Sequence, residues 1–362
     1  MSLIGNIFSS LQAGDSAASG VVGIDIGSSS IKVVELQERN DVITLTTYGE
    51  VQLGPYVGKE VGQSATLEAK QEQEALVDVI RESAVKARSA VFAMPLSSSF
   101  VTNVNIETDP DSDLAAMVRV EARKVIPASL SEVTLDWAEV EFGKKDAKKN
   151  SNRHDVLIAA IQNAALERFK VLMQFIGIKQ TPTEIECFSA IRGLYDSEEP
   201  DLAIIDLGAT SAKLYLAQKG LLMRMYRIRA GGAIATKEIA NKLNVDFETA
   251  EQMKFAADKS AANFGDIKRV HHGSYDRAFR EFNQVLREYE QRAEVKFDTV
   301  FLTGGGALFP GIDAHLKDAL DREVIMAHPF SKVAYPAFMQ DTMKQIGPSF
   351  TVALGAAMRS FE

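Results

Sequence analysis

Cysteine is almost missing: Cys187 is the single one in 362 residues, so no intrachain disulfide can form. Its neighbours Ile185, Glu186 and Phe188 predict a buried, inert thiol in a reducing compartment. There are only five histidines. They include the pair His271-His272, but no His, Cys or carboxylate cluster has the spacing of a structural zinc site, so no transition metal is expected. Long apolar runs are also lacking. The best are short stretches such as Val156 to Ile161, far from the ~18 to 20 residues that cross a bilayer, so no membrane-spanning helix is expected. Residues 1–20 contain no Lys or Arg, and Gly5 and Asn6 interrupt Leu3, Ile4, Ile7, Phe8 and Leu11. A secretory signal is therefore not expected, and the segment reads as a flexible N-terminal stretch, with docking of its weakly amphipathic face on a partner or on its own domain left open. Positive charge is in deficit, with 40 Lys and Arg against 49 Asp and Glu. That balance argues against a surface built to neutralise nucleic-acid phosphates. What remains is ordinary: 46% hydrophobic and 25% charged residues describe a soluble chain of two or three globular units.

The chain repeats itself once. Ile24-Asp25-Ile26-Gly27-Ser28-Ser29-Ser30-Ile31-Lys32 returns half a chain-length later as Ile205-Asp206-Leu207-Gly208-Ala209-Thr210-Ser211-Ala212-Lys213. Each copy reads as a buried strand (Val21 to Ile26; Leu202 to Leu207), a tight turn and a second strand carrying a lysine. A third strand is expected at Val42 to Val51 and at Leu221 to Ile228. Packing alone explains poorly an Asp at the end of an apolar strand, followed at once by Gly and small hydroxyl residues. Such a turn lets the backbone approach a ligand, and its N–H groups and hydroxyls can cradle phosphate oxygens. The Asp offers the hard oxygen that Mg²⁺ prefers, usually through its water shell. A third motif, Val300-Phe301-Leu302-Thr303-Gly304-Gly305-Gly306-Ala307-Leu308-Phe309-Pro310-Gly311, is a buried strand running into three glycines, flat backbone on which a planar base could lie.

These three motifs, in this order, resemble the phosphate-1, phosphate-2 and adenosine motifs of the actin, Hsp70 and sugar-kinase ATPase superfamily. Pro182 to Ile191 and Phe350 to Ala357 resemble its two connecting helices. Val22 to Lys32 with Val125-Ile126-Pro127 and Val133 to Asp136 looks most like the PilM family of type IV pilus assembly proteins. Gly231-Gly232 with Ala250 to Lys254 is shared with the related division proteins of the FtsA family. The resemblance implies an α/β, actin-like fold of duplicated lobes with an inserted subdomain of FtsA and PilM type. The first lobe would comprise residues 21–103 and 181–200, with a small α/β subdomain inserted at 104–180. The second would comprise 201–235 and 298–362, with a helical subdomain at 236–297. There Phe279, Phe282, Leu286 and Tyr289 recur at helical spacing and read as core. The polar tip Gly143 to Asn150 reads as a solvated loop.

The same resemblance implies ATP and Mg²⁺ as cofactors. Asp25 and Asp206 would hold the hydrated metal. Gly27, Ser28, Ser29, Gly208, Ala209 and Thr210 would form the phosphate turns, and Lys32 would contact the phosphates, with Lys213 as its repeat. Glu251 and Lys254 would serve the ribose and base, Gly231 and Gly232 would also bind the nucleotide, and Gly304, Gly305 and Gly306 would take the adenosine. Glu186, opening the first connecting helix, would orient the attacking water, with Glu184 as a competing choice. Phosphoryl transfer asks little more of a protein than charge neutralisation and positioning.

No dedicated pocket for a metabolic kinase's substrate is visible. The last residues, Arg359 to Glu362, follow the second connecting helix directly, where chaperones continue into a substrate domain and FtsA proteins into a membrane helix. The expected function is thus a cytoplasmic, slowly hydrolysing ATP-binding adaptor of the pilus assembly platform. It would bind the cytoplasmic N-terminal peptide of PilN, work with platform and motor proteins, and reach the inner face of the membrane through partners. Self-association is left open. An FtsA-like division or filament-forming ATPase is the alternative.

Overall fold

The computed structural model describes residues 20–109, 113–140, 153–178, 183–198, 201–255 and 263–362. The readings for the N-terminal stretch and the lysine-rich tip therefore lie outside the described residues.

The sequence repeat builds two sheets of one design. In the first, β1 (Val21–Ile26), β2 (Ser30–Arg39) and β3 (Val42–Gln52) run antiparallel. β4 (Ser89–Met94) and the short β8 (Glu184–Ile185) then add in parallel, giving the order β3-β2-β1-β4-β8. The second sheet repeats this with β9 (Asp201–Leu207), β10 (Ala212–Gln218), β11 (Leu221–Ile228), β12 (Thr299–Thr303) and β13 (Glu323–Met326), in the order β11-β10-β9-β12-β13. In both, the central strand carries the Asp at its C-terminal end, where a parallel neighbour and an antiparallel hairpin diverge. That is where open α/β sheets present ligands. Burial follows function: β1 is buried along Val21 to Ile24 and opens only at Asp25 and Ile26.

A third sheet, β5-β7-β6, comes from β5 (Ser99–Glu107), β6 (Val133–Glu139) and β7 (Arg153–Gln162). The boundary expected at residue 104 falls inside β5. One face of this sheet packs on α2 (Leu114–Val125): Ile106, Val118, Ala122, Val133 and Ile158 form a core that Leu135 and Trp137 flank. The other face, through Leu157, Ala159 and Ile161, joins the first-lobe core beside Phe92. α3 (Asn163–Phe175) sends Phe169, Leu172 and Met173 into that same core, reinforced by an Arg168–Glu72 pair to α1 (Ala69–Glu82). At roughly 1.5–3 kcal/mol per buried side chain, those residues make α3 part of the parent lobe energetically.

The lobes meet through α4 (Glu186–Leu194) and α10 (Gln340–Met358), which pack on each other while α10 lies across β1 and β2. Pro348 sits within α10 and its carbonyl accepts the Gly304 N–H at 2.9 Å and the Thr303 hydroxyl at 2.6 Å. This pins the glycine loop to the interlobe helix.

The helical region of the second lobe is α5 (Gly232–Leu243), α6 (Phe247–Phe255), α7 (Phe264–Gly273) and α8 (Asp276–Ala293), with α9 (Ile312–Leu320) following the glycine loop. Phe279, Phe282 and Leu286 are fully buried in its core, and Tyr289 is half-buried, donating its hydroxyl to Gln218 at 3.0 Å.

Candidate functional site

The two Gly-hydroxyl turns face each other across the interlobe cleft. Ser28 Oγ lies 3.1 Å from Thr210 Oγ1, a hydrogen bond between residues 182 apart in sequence. Each turn closes in the same way: the Gly27 N–H donates to the Ser30 carbonyl at 2.9 Å and the Gly208 N–H to the Ser211 carbonyl at 3.0 Å. Gly231 and Gly232 start α5 directly against the second turn, where the Gly232 and Ala233 N–H groups donate to the carbonyls of Gly208 and Ala209 at 3.0 and 2.9 Å. Ser29 ties the first turn to a strap: its carbonyl accepts the Leu53 N–H at 2.8 Å, and that of Ser28 accepts the Ala65 N–H at 2.9 Å.

The floor is a charge cluster. Lys213 Nζ donates to Glu186 Oε2 at 2.8 Å and to Asp206 Oδ2 at 3.1 Å. Glu186 Oε1 accepts the Leu96 N–H at 2.9 Å. Burial alone would depress Lys213, but Asp206, Glu186 and Asp25 outweigh it and hold the ammonium charged well above its usual range. Asp25 is raised to about 6, chiefly by desolvation, with Lys32 pulling down and Glu186 pushing up. Lys32, which acts on Asp25 from the neighbouring strand, has its own partners. It donates to Ser30 Oγ at 2.7 Å and pairs with Glu50 at 3.1 Å, on the strand beside it.

Glu184 is not part of this cluster. It is buried with Arg192 and Arg359 and accepts from Ser189. It holds α4 and the chain end together and does not face the cleft cluster. Cys187 is buried, with its thiol pushed well up, first by desolvation.

Gly304 has φ +86°, and a Cβ there would stand 2.3 Å from Asp206 Oδ1 and 2.5 Å from the Leu207 carbonyl. The glycine loop therefore touches the second turn's carboxylate, which no side-chain-bearing residue would permit. Gly305 faces open space, and a Cβ on Gly306 would meet Tyr275 Oη at 2.8 Å. Glu251 accepts from Thr236 and, at 2.6 Å, from Lys254, which also reaches Thr236 at 2.9 Å. Burial pulls the Lys254 ammonium down against the pull of Glu251. From the opposite lobe, Gly62 of the strap, at φ +83°, approaches so closely that a Cβ would lie 2.6 Å from Glu251 Oε1. Sequence reading missed this cross-cleft contact, because nothing local marks a strap.

It also passed over Phe255 and Leu308, large apolar side chains left exposed next to Lys254 and after Gly306. The signal was available, since each follows a motif residue at once or nearly so. His271 is buried and stacks on Phe309 with centroids 3.7 Å apart, and neither ring nitrogen has a partner.

For a cation, the residues fit in kind: the carboxylates of Asp206 and Glu186 already converge on one positive charge, that of Lys213. Among the described residues no group of three or more His, Cys, Asp or Glu is disposed to hold a metal unaided. A divalent ion here would therefore rely on phosphate oxygens and water for the rest of its shell.

A second concavity, about 640 Å³, opens between the small sheet and the second lobe. Its walls include Val101, Asn103 and Asp155 on one side and Met223, Arg224 and Tyr289 on the other. β5 and β11 are both edge strands. Asn103 Nδ2 donates to the carbonyls of Leu222 at 3.1 Å and Met223 at 2.5 Å, and its own Oδ1 has no donor.

Among known proteins, the family model described as type IV pilus assembly protein PilM matches residues 23–361. A solved PilM-PilN type IV pilus biogenesis complex superposes with TM-score 0.78 at 23% identity, covering 94% of this chain and 98% of that one. The ethanolamine utilization protein EutJ from Carboxydothermus hydrogenoformans gives 0.55 at 15% identity, over 93% and 88%. MreB 5 of Spiroplasma citri bound to AMPPNP gives 0.52 at 12%, over 93% and 94%. The fold is actin-like, as the three motifs implied.

Proposed function

The chain belongs to the family of the type IV pilus assembly protein PilM, and we propose that it serves there as an ATP-binding adaptor whose nucleotide locks the two lobes together. The observation that carries this reading is the Ser28–Thr210 contact, which brings two phosphate-type turns face to face. The relative bound to AMPPNP supports nucleotide as the ligand.

In this reading the turn N–H groups and hydroxyls of Gly27 to Ser29 and Gly208 to Thr210 take the phosphates, while Glu251 and Lys254 take the ribose. The base lies along Gly304 to Gly306, with Phe255 and Leu308 as apolar surfaces. Asp25 and Asp206 hold Mg²⁺ through its water shell; when bound, it neutralises phosphate charge. Glu186 orients water for a slow hydrolysis.

Among the described residues no helix is long and apolar enough to cross a membrane. We assign membrane attachment to a partner, a PilN-like cytoplasmic peptide, with the platform and motor proteins beyond it. The groove between β5 and β11 is its site in this proposal. It lies between the outermost strands of two sheets and carries an Asn103 Oδ1 without a donor, a combination that suits an extended segment. The test is calorimetry with a PilN-like N-terminal peptide on the wild type and on Asn103→Ala with Tyr289→Ala. Affinity should fall about tenfold or more with Mg-ATP binding intact. Unchanged peptide affinity would move the partner site elsewhere.

A further inference from the structure

The two hairpin lysines occupy equivalent places and are similarly enclosed, at 13% and 11% side-chain exposure, but it is Lys213 that pairs with Glu186 and Asp206. The strands next door differ. Lys32 stands opposite Glu50 in the β2–β3 ladder, whereas Lys213 stands opposite Arg227 in the β10–β11 ladder. The first lysine finds a carboxylate partner along its own sheet, and the second, with a guanidinium opposite it, pairs with Asp206 and Glu186. There the ammonium bridges the two acids. Glu186 then has Oε1 taken by the Leu96 N–H and Oε2 by Lys213. Each oxygen keeps a second lone pair, but the ammonium fixed on Oε2 neutralises the charge with which Glu186 would draw a proton from water.

We propose that Lys213 is a built-in counter-cation that silences Glu186, so that the cleft holds nucleotide without turning it over quickly. This rests on the nucleotide reading of the cleft. It assigns Lys213 a positioning role, distinct from contact with phosphate. The same ammonium also stands between two carboxylates that would otherwise attract a divalent ion, so it competes with Mg²⁺ for them.

The test compares wild type, Lys213→Gln, Lys213→Arg and Arg227→Glu, reading ATP binding by calorimetry and hydrolysis in single turnover. Arg227 is exposed, so Arg227→Glu draws Lys213 outward without removing a buried charge and stands in should Lys213→Gln not fold. Lys213→Gln and Arg227→Glu should hydrolyse at least about tenfold faster with ATP affinity retained. Lys213→Arg should stay slow, and adding Glu186→Gln to Lys213→Gln should abolish the gain. Without nucleotide, Mg²⁺ should raise the melting temperature of Lys213→Gln and leave the wild type nearly unchanged. Retained binding with an unchanged or lower rate overturns the proposal alone. Loss of ATP binding in Lys213→Gln also overturns it, by making Lys213 a phosphate ligand. No ATP binding by the wild type overturns the nucleotide reading and the proposal together.

Discussion

The hairpins at Asp25 and Asp206 share turn geometry, strand pairing and a lysine seven residues after the Asp, yet they deploy that lysine oppositely. Lys32 makes a partly exposed pair with Glu50, while Lys213 is enclosed with Glu186 and Asp206. The repeated scaffold carries a different residue opposite each lysine on the third strand, Glu50 in one copy and Arg227 in the other. The first turn is bonded to its strap through the carbonyls of Ser28 and Ser29, and the second is backed by the Gly304 loop with Lys213 on its carboxylate.

Denaturant unfolding should expose the contrast most strongly. Lys213→Met removes one partner of a buried cluster and should cost about 3–5 kcal/mol. Lys32→Met breaks a pair whose acid is one-third exposed and should cost less than about 1 kcal/mol. Equal costs would mean that the buried acids Glu186 and Asp206 gain no more from Lys213 than Glu50 gains from Lys32. Next, Gly304→Ala should destabilise by about 3 kcal/mol, because it combines a strained φ with a clash against Asp206 and the Leu207 carbonyl. No glycine of another strand's loop is pressed on Asp25 in this way among the described residues. A stable Gly304→Ala protein would show that the loop can retreat from the second turn.

His271 gives a smaller, pH-dependent effect beside the second turn. Desolvation, with Lys254, His272 and His315 nearby, lowers its folded pKa to about 2 from an ordinary 6.5. The unfolded chain therefore binds the proton first, and stability falls as pH drops below about 6.5, by up to about 1.4 kcal/mol per pH unit. His271→Phe, which keeps the stack on Phe309, should flatten that slope between pH 6.5 and 5. An unchanged slope would assign the acid sensitivity to other groups. The smallest change expected is Glu50→Ala: stability should move by less than about 1 kcal/mol, with Lys32 freed to turn toward Asp25. Chemical-shift titration of Lys32 in that variant reads the turn directly.

Much of this was legible in the chain itself. Strand, turn and lysine repeat in sequence order, so the two hairpins and the glycine loop could be placed from local pattern, and with them the actin-like fold. What could not be read locally depends on register and on packing between distant elements. Lys213 stands opposite Arg227 across a ladder and pairs with Glu186 from α4. Glu184 and Glu186 differ by two residues, and only the turn from β8 into α4 sends one to the arginines and the other to the cleft. The strap over Glu251 carries no motif, and the β5–β11 groove is made by two strands that no local pattern marks as edges.

The account stands on the two turns acting as one nucleotide site. Titration calorimetry of the folded chain with Mg-ATP measures this most directly, beside Asp25→Ala and Asp206→Ala. The prediction is saturable binding at one site per chain, weakened in both variants and dependent on Mg²⁺. Absence of binding by the wild type, or equal affinity in all three proteins, would contradict it.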